Sequence, residues 1–414
     1  MVYDNINLKE LLISLSSLSK EEGCPRTLLG VSSNSESVVR ASLRSAKRLN
    51  APMYFVSTLN QVDCDGGYTG LTHHDFAEFV AQESKKINFE LPVVLGIDHG
   101  GPWQKDLHSL ENYSYEESMA WVKDSLESAI AAGYRMIHLD PTVDKSLPEG
   151  QTLPVEEVVR RTIELLEHCE ALRERLGLPP LSYEVGTEEV HGGMTQREDF
   201  CRFVELFDKA LRKRDLQNLW PCFVVGQVGT DLHTTTFEPD RARELAEVLN
   251  DYGSFLKVHY SDNVDCPSRF PEAGIGGANV GPEFTEREYE GLLELLDLEE
   301  SLWSKGCLDS KSEFYGNLRE AVVDSGRWKK WLTRDEKDKA FDQLDPERQE
   351  WLLKTGSRYV WAQGTVDQTR EQLYENVSRG GFQPERIVSG HIERAVDKYL
   401  SRFNLVNLGR KLPV

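Results

Sequence analysis

Residues 92–102 read Pro-Val-Val-Leu-Gly-Ile-Asp-His-Gly-Gly-Pro, an apolar run that ends in an acid, a histidine and two glycines. The apolar residues follow one another without alternating with polar ones, which is typical of a strand buried on both faces of a parallel sheet. Asp98 and His99 stand where such a strand would end, and Gly100 and Gly101 begin the loop. The segment therefore predicts a parallel strand whose carboxyl end carries polar side chains.

Similar runs recur along the chain up to about residue 302 and give eight candidate strands in all, at residues 28–33, 53–58, 92–98, 136–140, 181–186, 222–227, 255–261 and 277–281. Amphipathic helical patterns alternate with them, at 37–49, 74–87, 115–132, 154–176, 197–213, 239–249 and 286–296. This alternation predicts an α/β fold, a (β/α)8 TIM barrel. A doubly wound open sheet is disfavoured because no Gly-x-Gly-x-x-Gly follows the first strand, where residues 30–34 read Gly-Val-Ser-Ser-Asn.

The chain changes character after residue 302. Helical patterns cover residues 312–325, 327–332, 346–379 with a break near Gly364, and 384–403. Five of the eight tryptophans lie there: Trp303, Trp328, Trp331, Trp351 and Trp361. Such aromatic density is typical of a helical core or of a cover over the barrel. We expect a TIM barrel catalytic domain at 1–302 and a C-terminal helical extension at 303–414 that packs on the barrel.

The composition excludes several classes of function. The 414 residues include 48 Lys and Arg against 69 Asp and Glu, a formal net charge of −21. This balance disfavours binding to nucleic acids or anionic membranes, since both depend on basic patches. No apolar run approaches the roughly 18 residues that cross a bilayer. The first residues lack the basic start of a secretion signal, so we expect a cytoplasmic protein.

The histidines and cysteines indicate a metal site without thiolates. The seven cysteines are scattered and form no Cys-x-x-Cys pair, which argues against a disulfide framework and a thiolate zinc site. Imidazoles and carboxylates around an open position form catalytic zinc or manganese sites, so the sequence predicts a divalent metal. Four of the ten histidines lie at predicted strand ends, beside several acids: His99, His138, His233 and His259.

Strand geometry separates these candidates. In residues 138–140, His138 and Asp140 share one direction because alternate residues face the same side, and Asp140 lies nearer the mouth. We therefore interpret His138 as a structural residue buried below Asp140. Asp98 and His99 are neighbours and need different directions, which requires a strand that is already turning. Gly100 and Gly101 would allow the close approach and the unusual dihedrals of that turn.

A series of short motifs follows in a fixed order: Asn60-Gln61, Gly66-Gly67-Tyr68-Thr69-Gly70, Asp98-His99-Gly-Gly-Pro102, Ile137-His138-Leu139-Asp140, Leu181-Ser-Tyr183, Gly186-Thr187-Glu188 and Val280-Gly281-Pro282. Together they resemble the tagatose-1,6-bisphosphate aldolase non-catalytic subunit family. The resemblance covers most of residues 28–300, and Trp-Lys-Lys at 328–330 resembles the C-terminal part of that family. It implies a class II aldolase-like barrel, related to the 4-epimerases of fructose, tagatose and tagaturonate.

The resemblance also implies roles for individual residues. In class II aldolases the histidine of the Asp-His pair binds zinc, and the aspartate moves the proton of a substrate hydroxyl. This implies His99, His233 and His259 as metal ligands and Asp98 as the proton-transfer group. A glutamate of strand 5 in those aldolases resembles Glu184, which would be a further ligand.

Further roles concern the second acid–base and the sugar hydroxyls. A loop glutamate pair of class II aldolases resembles Glu188 and Glu189, either of which would serve as the second acid–base. Trp103 is open to two interpretations, sugar stacking and packing in the wall of the site. The candidates for binding substrate hydroxyls are Asn60, Gln61, Trp103, Asp140 and Asp262.

Two departures from the family pattern shape the functional expectation. The non-catalytic subunits have an apolar residue where this chain has Glu184, and residues 259–262, His-Tyr-Ser-Asp, replace the glycine-rich phosphate turn of class II aldolases. We expect a metal-dependent ketose C4 epimerase that uses retro-aldol and aldol chemistry. The alternatives are a class II ketose-bisphosphate aldolase, its non-catalytic stabilising subunit, and an epimerase that moves only a proton.

The cofactor and the partners follow from this expectation. Zn²⁺ is the preferred ion, with Mn²⁺, Ni²⁺ and Co²⁺ as alternatives. The substrate would be a small sugar, sugar acid or sugar phosphate. A homo-oligomer and a complex with an aldolase partner subunit both remain open.

Overall fold

Eight parallel strands close into a barrel in the computed structural model, which describes residues 7–148, 151–187, 194–230, 236–409 and 411–412. Each strand pairs with the next along the chain, and the last pairs with the first. The strands are β1 (Leu28–Ser32), β2 (Met53–Thr58), β3 (Val93–Gly100), β4 (Met136–Leu139), β5 (Ser182–Gly186), β6 (Phe223–Val225), β7 (Phe255–Val258) and β8 (Ile275–Val280). The prediction of a (β/α)8 TIM barrel is confirmed.

Helices cover the outside of the barrel and form the C-terminal part of the chain. They are α1 (Leu8–Glu22), α2 (Glu36–Leu49), α3 (His73–Lys86), α4 (Asp106–Leu110), α5 (Tyr115–Ala132), α6 (Val155–Leu176), α7 (Arg197–Arg212), α8 (Pro239–Asn250), α9 (Arg269–Glu272), α10 (Pro282–Ser304), α11 (Phe314–Asp324), α12 (Pro346–Gly356), α13 (Gly364–Arg379) and α14 (Pro384–Arg402). Only the short α9 follows β7, because Pro267 and Pro271 resist a longer helix there. Among the described helices, none combines the length and the apolar character that a membrane-spanning segment needs.

Two strands end at least two residues before their predicted ends. β6 ends at Val225 and β7 at Val258, although the predicted strands extend to residues 227 and 261. After β7 the backbone leaves the extended conformation at Tyr260, whose φ is 56°. His259 therefore belongs to the beginning of the loop, where its side chain reaches the mouth of the barrel.

Helix α1 lies at the amino ends of the strands, and the sequence analysis assigned no element to it. The Lys9 backbone N–H lies 3.3 Å from Oγ of Ser182, the first residue of β5, and Lys9 Nζ donates to the carbonyl oxygen of Trp220 at 3.2 Å. Four leucines of the helix are buried: Leu8, Leu11, Leu12 and Leu15. The polar residues predicted at strand ends lie at the other end of the barrel.

The C-terminal helices pack on the barrel helices that surround β1 and β8. Helix α14 contacts both α10 and α2, and a Cβ atom on Gly291 of α10 would lie 2.7 Å from the Cα atom of Val388. Trp328, Trp331 and Trp361 are buried, whereas Trp303 is 45% exposed. Most of the aromatic cluster thus serves as a packing core. The domain boundary at residue 302 remains a prediction.

Candidate active site

Four buried side chains converge at the mouth formed by the carboxyl ends of the strands. Asp98 comes from β3, His138 from β4 and Glu184 from β5, and His259 follows β7. One ligand atom from each lies within 4.8 Å of the other three. His259 Nε2 is 3.0 Å from Glu184 Oε1, and His138 Nδ1 is 3.3 Å from Asp98 Oδ1. Carboxylates and imidazoles at this spacing suit a divalent metal.

An irregular end of β3 brings both Asp98 and His99 to this mouth. The pairing of β3 with β4 shifts register between Ile97 and Gly100, and His99 has a left-handed backbone with φ of 52°. Neighbouring residues of a regular strand point to opposite faces, so this distortion turns the His99 ring toward the mouth. A left-handed residue other than glycine is strained, and such strain concentrates at functional sites.

Gly100 and Gly101 let β3 pass close to β4. A Cβ atom on Gly100 would lie 2.7 Å from the His138 carbonyl oxygen, and one on Gly101 would lie 1.6 Å from the Asp140 carbonyl oxygen. The predicted close approach is confirmed. The expectation of unusual dihedrals at these two glycines is wrong, because His99 and Trp103, with φ of 52° and 58°, make the turn instead.

A carboxylate fixes the His99 ring. His99 Nδ1 lies 2.6 Å from Asp140 Oδ2, which also accepts a hydrogen bond from Gln104 Nε2 at 2.6 Å, and Thr142 Oγ1 donates to Asp140 Oδ1 at 2.5 Å. Burial alone would lower the pKa of His99, but the charge of Asp98 and the bond to Asp140 outweigh it and raise that pKa. With Nδ1 held, Nε2 is the atom left for a metal, the usual arrangement of a metal-binding histidine.

His138 lies in the same cluster but is committed to the protein. Its Nδ1 is 3.1 Å from the backbone N–H of His99 and 3.3 Å from Asp98 Oδ1. This nitrogen either accepts from that N–H or donates to that carboxylate, so both tautomers use it within the chain. The buried ring thus contacts both Asp98 and His99 through Nδ1, and the structural role expected for His138 stays a prediction.

Glu184 has a buried cation behind it. Lys257 Nζ lies 2.6 Å from Glu184 Oε2, and both side chains are fully buried. Burial would raise the pKa of Glu184, but the charge of Lys257 and the neighbouring imidazoles lower it. The sequence analysis missed Lys257, although the signal was there: a lysine inside an apolar strand, two residues before His259 and hence on the same face. Oε1 of Glu184 faces the cluster.

Asn279 holds the outer oxygen of Asp98. Asn279 Nδ2 donates to Asp98 Oδ2 at 3.0 Å, and a Cβ atom on Gly30 would lie 2.1 Å from Asn279 Oδ1. Burial would raise the pKa of Asp98, but the charges of His259 and His99 hold it well below its usual range. Asp98 is therefore ionised at neutral pH, with Oδ1 toward the cluster. Sequence reasoning also missed Asn279, a polar residue inside the predicted eighth strand.

Asn60 and Gln61 join the loops around the mouth. Gln61 Nε2 donates to Ser32 Oγ at 2.6 Å and to Asn34 Oδ1 at 2.7 Å. Asn60 Nδ2 donates to the Gln104 carbonyl oxygen at 2.9 Å. Both amides thus hold the loops after β1, β2 and β3 together, and their contact with substrate hydroxyls stays a prediction.

Trp103 and Asp262 are also tied to the protein. Trp103 is buried, and its Nε1 donates to the carbonyl oxygen of Tyr113 at 3.1 Å. Asp262 Oδ1 accepts from the backbone N–H groups of Gly281 and Glu283 at 2.9 and 2.8 Å. Burial, with the charge of Glu283, raises the pKa of Asp262 to about 7. This carboxyl thus occupies the N-terminus of α10.

Three predicted site residues, Glu188, Glu189 and His233, lie outside the described residues. The roles expected for them, the second acid–base and one metal ligand, stay predictions.

The sequence matches one known protein family over nearly its whole length. The sequence model of the family described as D-tagatose-1,6-bisphosphate aldolase subunit GatZ/KbaZ-like matches residues 14–405. The chain belongs to this family. Membership confirms the resemblance drawn from the strand-end motifs and supports a class II aldolase-like function in carbohydrate metabolism.

Two solved structures share the fold of this GatZ/KbaZ-like chain. The crystal structure of a probable tagatose 6 phosphate kinase from Sinorhizobium meliloti 1021 has 21% sequence identity and a TM-score of 0.71, and the match covers 91% of this chain and 100% of that chain. The fructose-bisphosphate aldolase from Campylobacter jejuni has 14% identity and a TM-score of 0.58, with 97% and 95% covered. At these identities the likeness establishes the fold alone.

Class II aldolase-like barrels typically use a divalent metal, and the described residues fit one. His259 Nε2 lies 3.0 Å from Glu184 Oε1, and the centres of the His99 and His259 rings are 4.6 Å apart. Asp140 backs His99 and Lys257 backs Glu184, so the far atoms of these two ligands are already bonded. Such outer partners are what fix ligand orientation in metal sites.

Proposed function

We propose that this chain is a divalent-metal-dependent ketose C4 epimerase that works by retro-aldol and aldol chemistry. The observation that carries the proposal is the backed ligand set, His99 held by Asp140 and Glu184 held by Lys257. Burying charged groups is costly, and a subunit that only stabilises another protein gains nothing from doing so around a shared centre. The arrangement therefore favours catalysis by this chain.

His99, His259 and Glu184 would hold the ion, with His233 as the predicted fourth ligand. When bound, a divalent ion supplies Lewis-acid stabilisation of the negative charge that develops on a ketose oxygen. The donor set of imidazoles and carboxylate suits Zn²⁺ best, and Mn²⁺, Ni²⁺ and Co²⁺ are the alternatives.

Asp98 is the proton-transfer group of the proposed reaction. Its Oδ1 takes the proton of the C4 hydroxyl while the C3–C4 bond breaks, which leaves an aldehyde at C4 and the bonding electron pair on the carbonyl fragment. The aldehyde rotates, and C3 attacks its other face. The new C4 oxygen takes a proton from the opposite side, the role predicted for Glu188 or Glu189, and Asp98 returns its proton to solvent.

The position of Asp262 favours epimerisation over cleavage of a bisphosphate. In barrels of this type the loops after strands 7 and 8 and a helix N-terminus commonly bind phosphate. Here the Gly281 and Glu283 N–H groups donate to Asp262 instead. A substrate with two phosphates would lose one of its usual sites, so a less charged ketose fits better.

A second candidate function is the subunit role. The family description names an aldolase subunit, which favours a partner subunit and a stabilising role for this chain. That function predicts a stable complex with a catalytic partner and no turnover by this chain alone.

The test incubates the purified, metal-replete protein with fructose, tagatose, their 6-phosphates and their uronates. Products are followed by carbon NMR in deuterated water, and triose by a coupled assay. We expect interconversion of C4 epimers without triose and without deuterium at C4. Triose release would indicate an aldolase, and deuterium at C4 a proton-transfer epimerase. No turnover of any substrate with metal bound would sink the proposal and favour the subunit.

A further inference from the structure

A buried guanidinium in the C-terminal extension forms no ion pair with a carboxylate among the described residues. Arg358 lies in the turn Ser357–Tyr359 and is 6% exposed, and its Nη2 donates to the Tyr359 hydroxyl at 2.9 Å. Within the described part of the chain, its Nη1 has no hydrogen-bond partner. The charge of Asp262 helps to raise the pKa of Arg358, but no carboxylate among the described residues forms an ion pair with it. Burying a charge without an ion-pair partner is costly, so this arginine is suited to an anion that binds from outside the chain.

Two further cations lie beside Arg358. The Arg327 guanidinium is 4.4 Å from the centre of the Tyr359 ring, and Arg327 and Lys330 both form ion pairs with Asp106. Burial would raise the pKa of Tyr359, but Arg358, Lys330 and Arg327 together lower it. We call these three residues, Arg327, Lys330 and Arg358, the cationic rim cluster. Two of these three cations share Asp106 as their ion-pair partner, in a chain whose net charge is −21.

The cationic rim cluster stands over the loops that follow β2 and β3, and Tyr68 connects it to the ends of β1 and β8. The rings of Tyr68 and Tyr359 meet edge to face, with centres 5.2 Å apart. Tyr68 donates its hydroxyl to Asn34 Oδ1 at 3.1 Å, and Asn34 Nδ2 donates to the Gly281 carbonyl oxygen at 2.7 Å. Asn34 follows β1 and Gly281 follows β8. The extension thus reaches the end of the barrel that carries the metal ligands.

Hydrogen bonds connect the cationic rim cluster to His99. Arg327 Nη2 donates to Asn60 Oδ1 at 3.2 Å, and Asn60 Nδ2 donates to the Gln104 carbonyl oxygen at 2.9 Å. Gln104 Nε2 donates to Asp140 Oδ2, the same oxygen that holds the His99 ring. The cations and the metal ligands therefore border one mouth.

We propose that the cationic rim cluster binds the phosphate of a ketose monophosphate, with Arg358 as its main ligand and the Tyr68 and Tyr359 hydroxyls beside it. The inference rests on the proposed function for the ketose itself. A guanidinium matches two oxygens of a phosphate, and a dianion balances the surplus of cations better than a carboxylate does. The phosphate would sit on the end of the sugar remote from the carbonyl, because the carbonyl belongs at the metal ligands.

A purely structural role for Arg358 is the rival explanation, since its guanidinium also stacks 4.7 Å from the Trp331 ring. Arg319 of the same extension shows what that role looks like. It stacks 5.3 Å from the Phe341 ring and forms an ion pair with Asp342. Arg319 therefore has an aromatic ring and an ion-paired carboxylate, whereas Arg358 has aromatic rings but no ion pair among the described residues.

The test titrates inorganic phosphate and a ketose 6-phosphate into wild type, Arg358→Met, Arg358→Lys and the control Arg319→Met, by calorimetry at equal metal content. We expect Arg358→Met to weaken both by about 10- to 100-fold, as the loss of a charge-assisted pair does. Arg358→Lys should be intermediate, and Arg319→Met should match wild type. The KM for the 6-phosphate should rise in parallel with the dissociation constants measured by calorimetry. The kcat/KM for the unphosphorylated ketose should stay unchanged.

Several outcomes would overturn the inference. Wild-type phosphate binding by Arg358→Met would do so, as would a uronate that binds wild type more tightly than the 6-phosphate. If Arg358→Met does not fold, Arg327→Met decides by the same criteria. Phosphate binding that depends on Arg358 without any epimerisation would remove the proposed function and keep the phosphate site. Epimerisation at a rate that depends neither on Arg358 nor on the phosphate of the substrate would keep the proposed function and remove the phosphate site.

Discussion

The two sides of the barrel mouth carry opposite charges and come from different parts of the chain. On the β3 to β7 side, acids and imidazoles project from the strands themselves, and each acid has an internal partner such as Lys257 or Asn279. Above the loops after β2 and β3, the cationic rim cluster comes from the C-terminal extension, and its Arg327 and Lys330 pair with Asp106. In the proposed scheme, the catalytic groups and the phosphate-binding groups therefore have separate origins and should be separable by mutation.

Asp98→Asn has the largest expected effect, and it should impair only the acids and imidazoles that project from the strands. The amide cannot take the C4 hydroxyl proton, so turnover should fall by about 10²- to 10⁴-fold. Phosphate binding at the cationic rim cluster should match wild type. The measurements are kcat for epimerisation, metal content by elemental analysis, and phosphate binding by calorimetry.

A buried carboxylate outside the mouth provides the control for this change. Glu288 is fully buried and bonded to Ser35 Oγ at 2.6 Å. Glu288→Gln should keep wild-type turnover within a small factor. Undiminished turnover in Asp98→Asn, with metal present, would contradict the role of Asp98 as the proton-transfer group.

Lys257→Met should strongly lower the free energy of unfolding of the protein. It leaves Glu184 buried without its cation, and breaking one partner of a buried pair costs about 3–5 kcal/mol. The Glu184 pKa should rise in the variant. When the pH is lowered, the variant should therefore lose the stability contributed by ionised Glu184 at a higher pH than wild type does. Added Zn²⁺ or Mn²⁺ should restore more of the stability of this variant than of wild type, because the cation then comes from the metal. Thermal unfolding with and without metal measures both effects.

Arg161 offers a matched pair away from the metal ligands. Its Nη2 lies 2.7 Å from Asp144 Oδ2, and both side chains are largely buried. Arg161→Met should also lose stability, but metal should not rescue it beyond the wild-type shift. Equal rescue of both variants would refute a metal centre at Glu184.

The site divides into residues that local sequence predicts and residues that it cannot. Asp98, His99, Glu184 and His259 follow or end strands, and the carboxyl ends of parallel strands always meet, so spacing along the chain predicted their convergence. Lys257 escaped because a charge inside a buried strand contradicts the pattern that identifies the strand.

The cationic rim cluster has no such local signal. Arg327 and its hydrogen-bond partner Asn60 are 267 residues apart, and their meeting depends on how the extension packs against α10 and α2. The composition does not predict this cluster either, because acidic residues outnumber basic ones in the chain as a whole, 69 to 48. The order of β-strands follows from periodicity, whereas the docking of an extension follows from surface fit that a single sequence does not display.

Asp262 lies between the two sides, and its titration has the smallest expected effect. Its folded-state pKa of about 7 exceeds the roughly 3.9 of an unfolded aspartate. Between those values the folded protein binds more protons than the unfolded chain, so this group lowers the stability as the pH rises from about 4 to about 7. An ionised Asp262 would also place a negative charge near Arg358, whose pKa it helps to raise against the effect of burial.

Asp262→Asn should therefore remove one component of the pH dependence of stability. The amide oxygen can still accept from the Gly281 and Glu283 N–H groups, so the N-terminus of α10 should persist. Between pH 4 and pH 7, the free energy of unfolding of the variant should rise by about 1–2 kcal/mol relative to that of wild type. This value is smaller than the full pKa shift would give, because the side chain is only half-buried. Urea unfolding of both proteins across this range measures the difference, in which all other titrating groups cancel. A difference that is constant with pH would show that Asp262 is ionised throughout, and that the negative charge beside the cationic rim cluster is permanent.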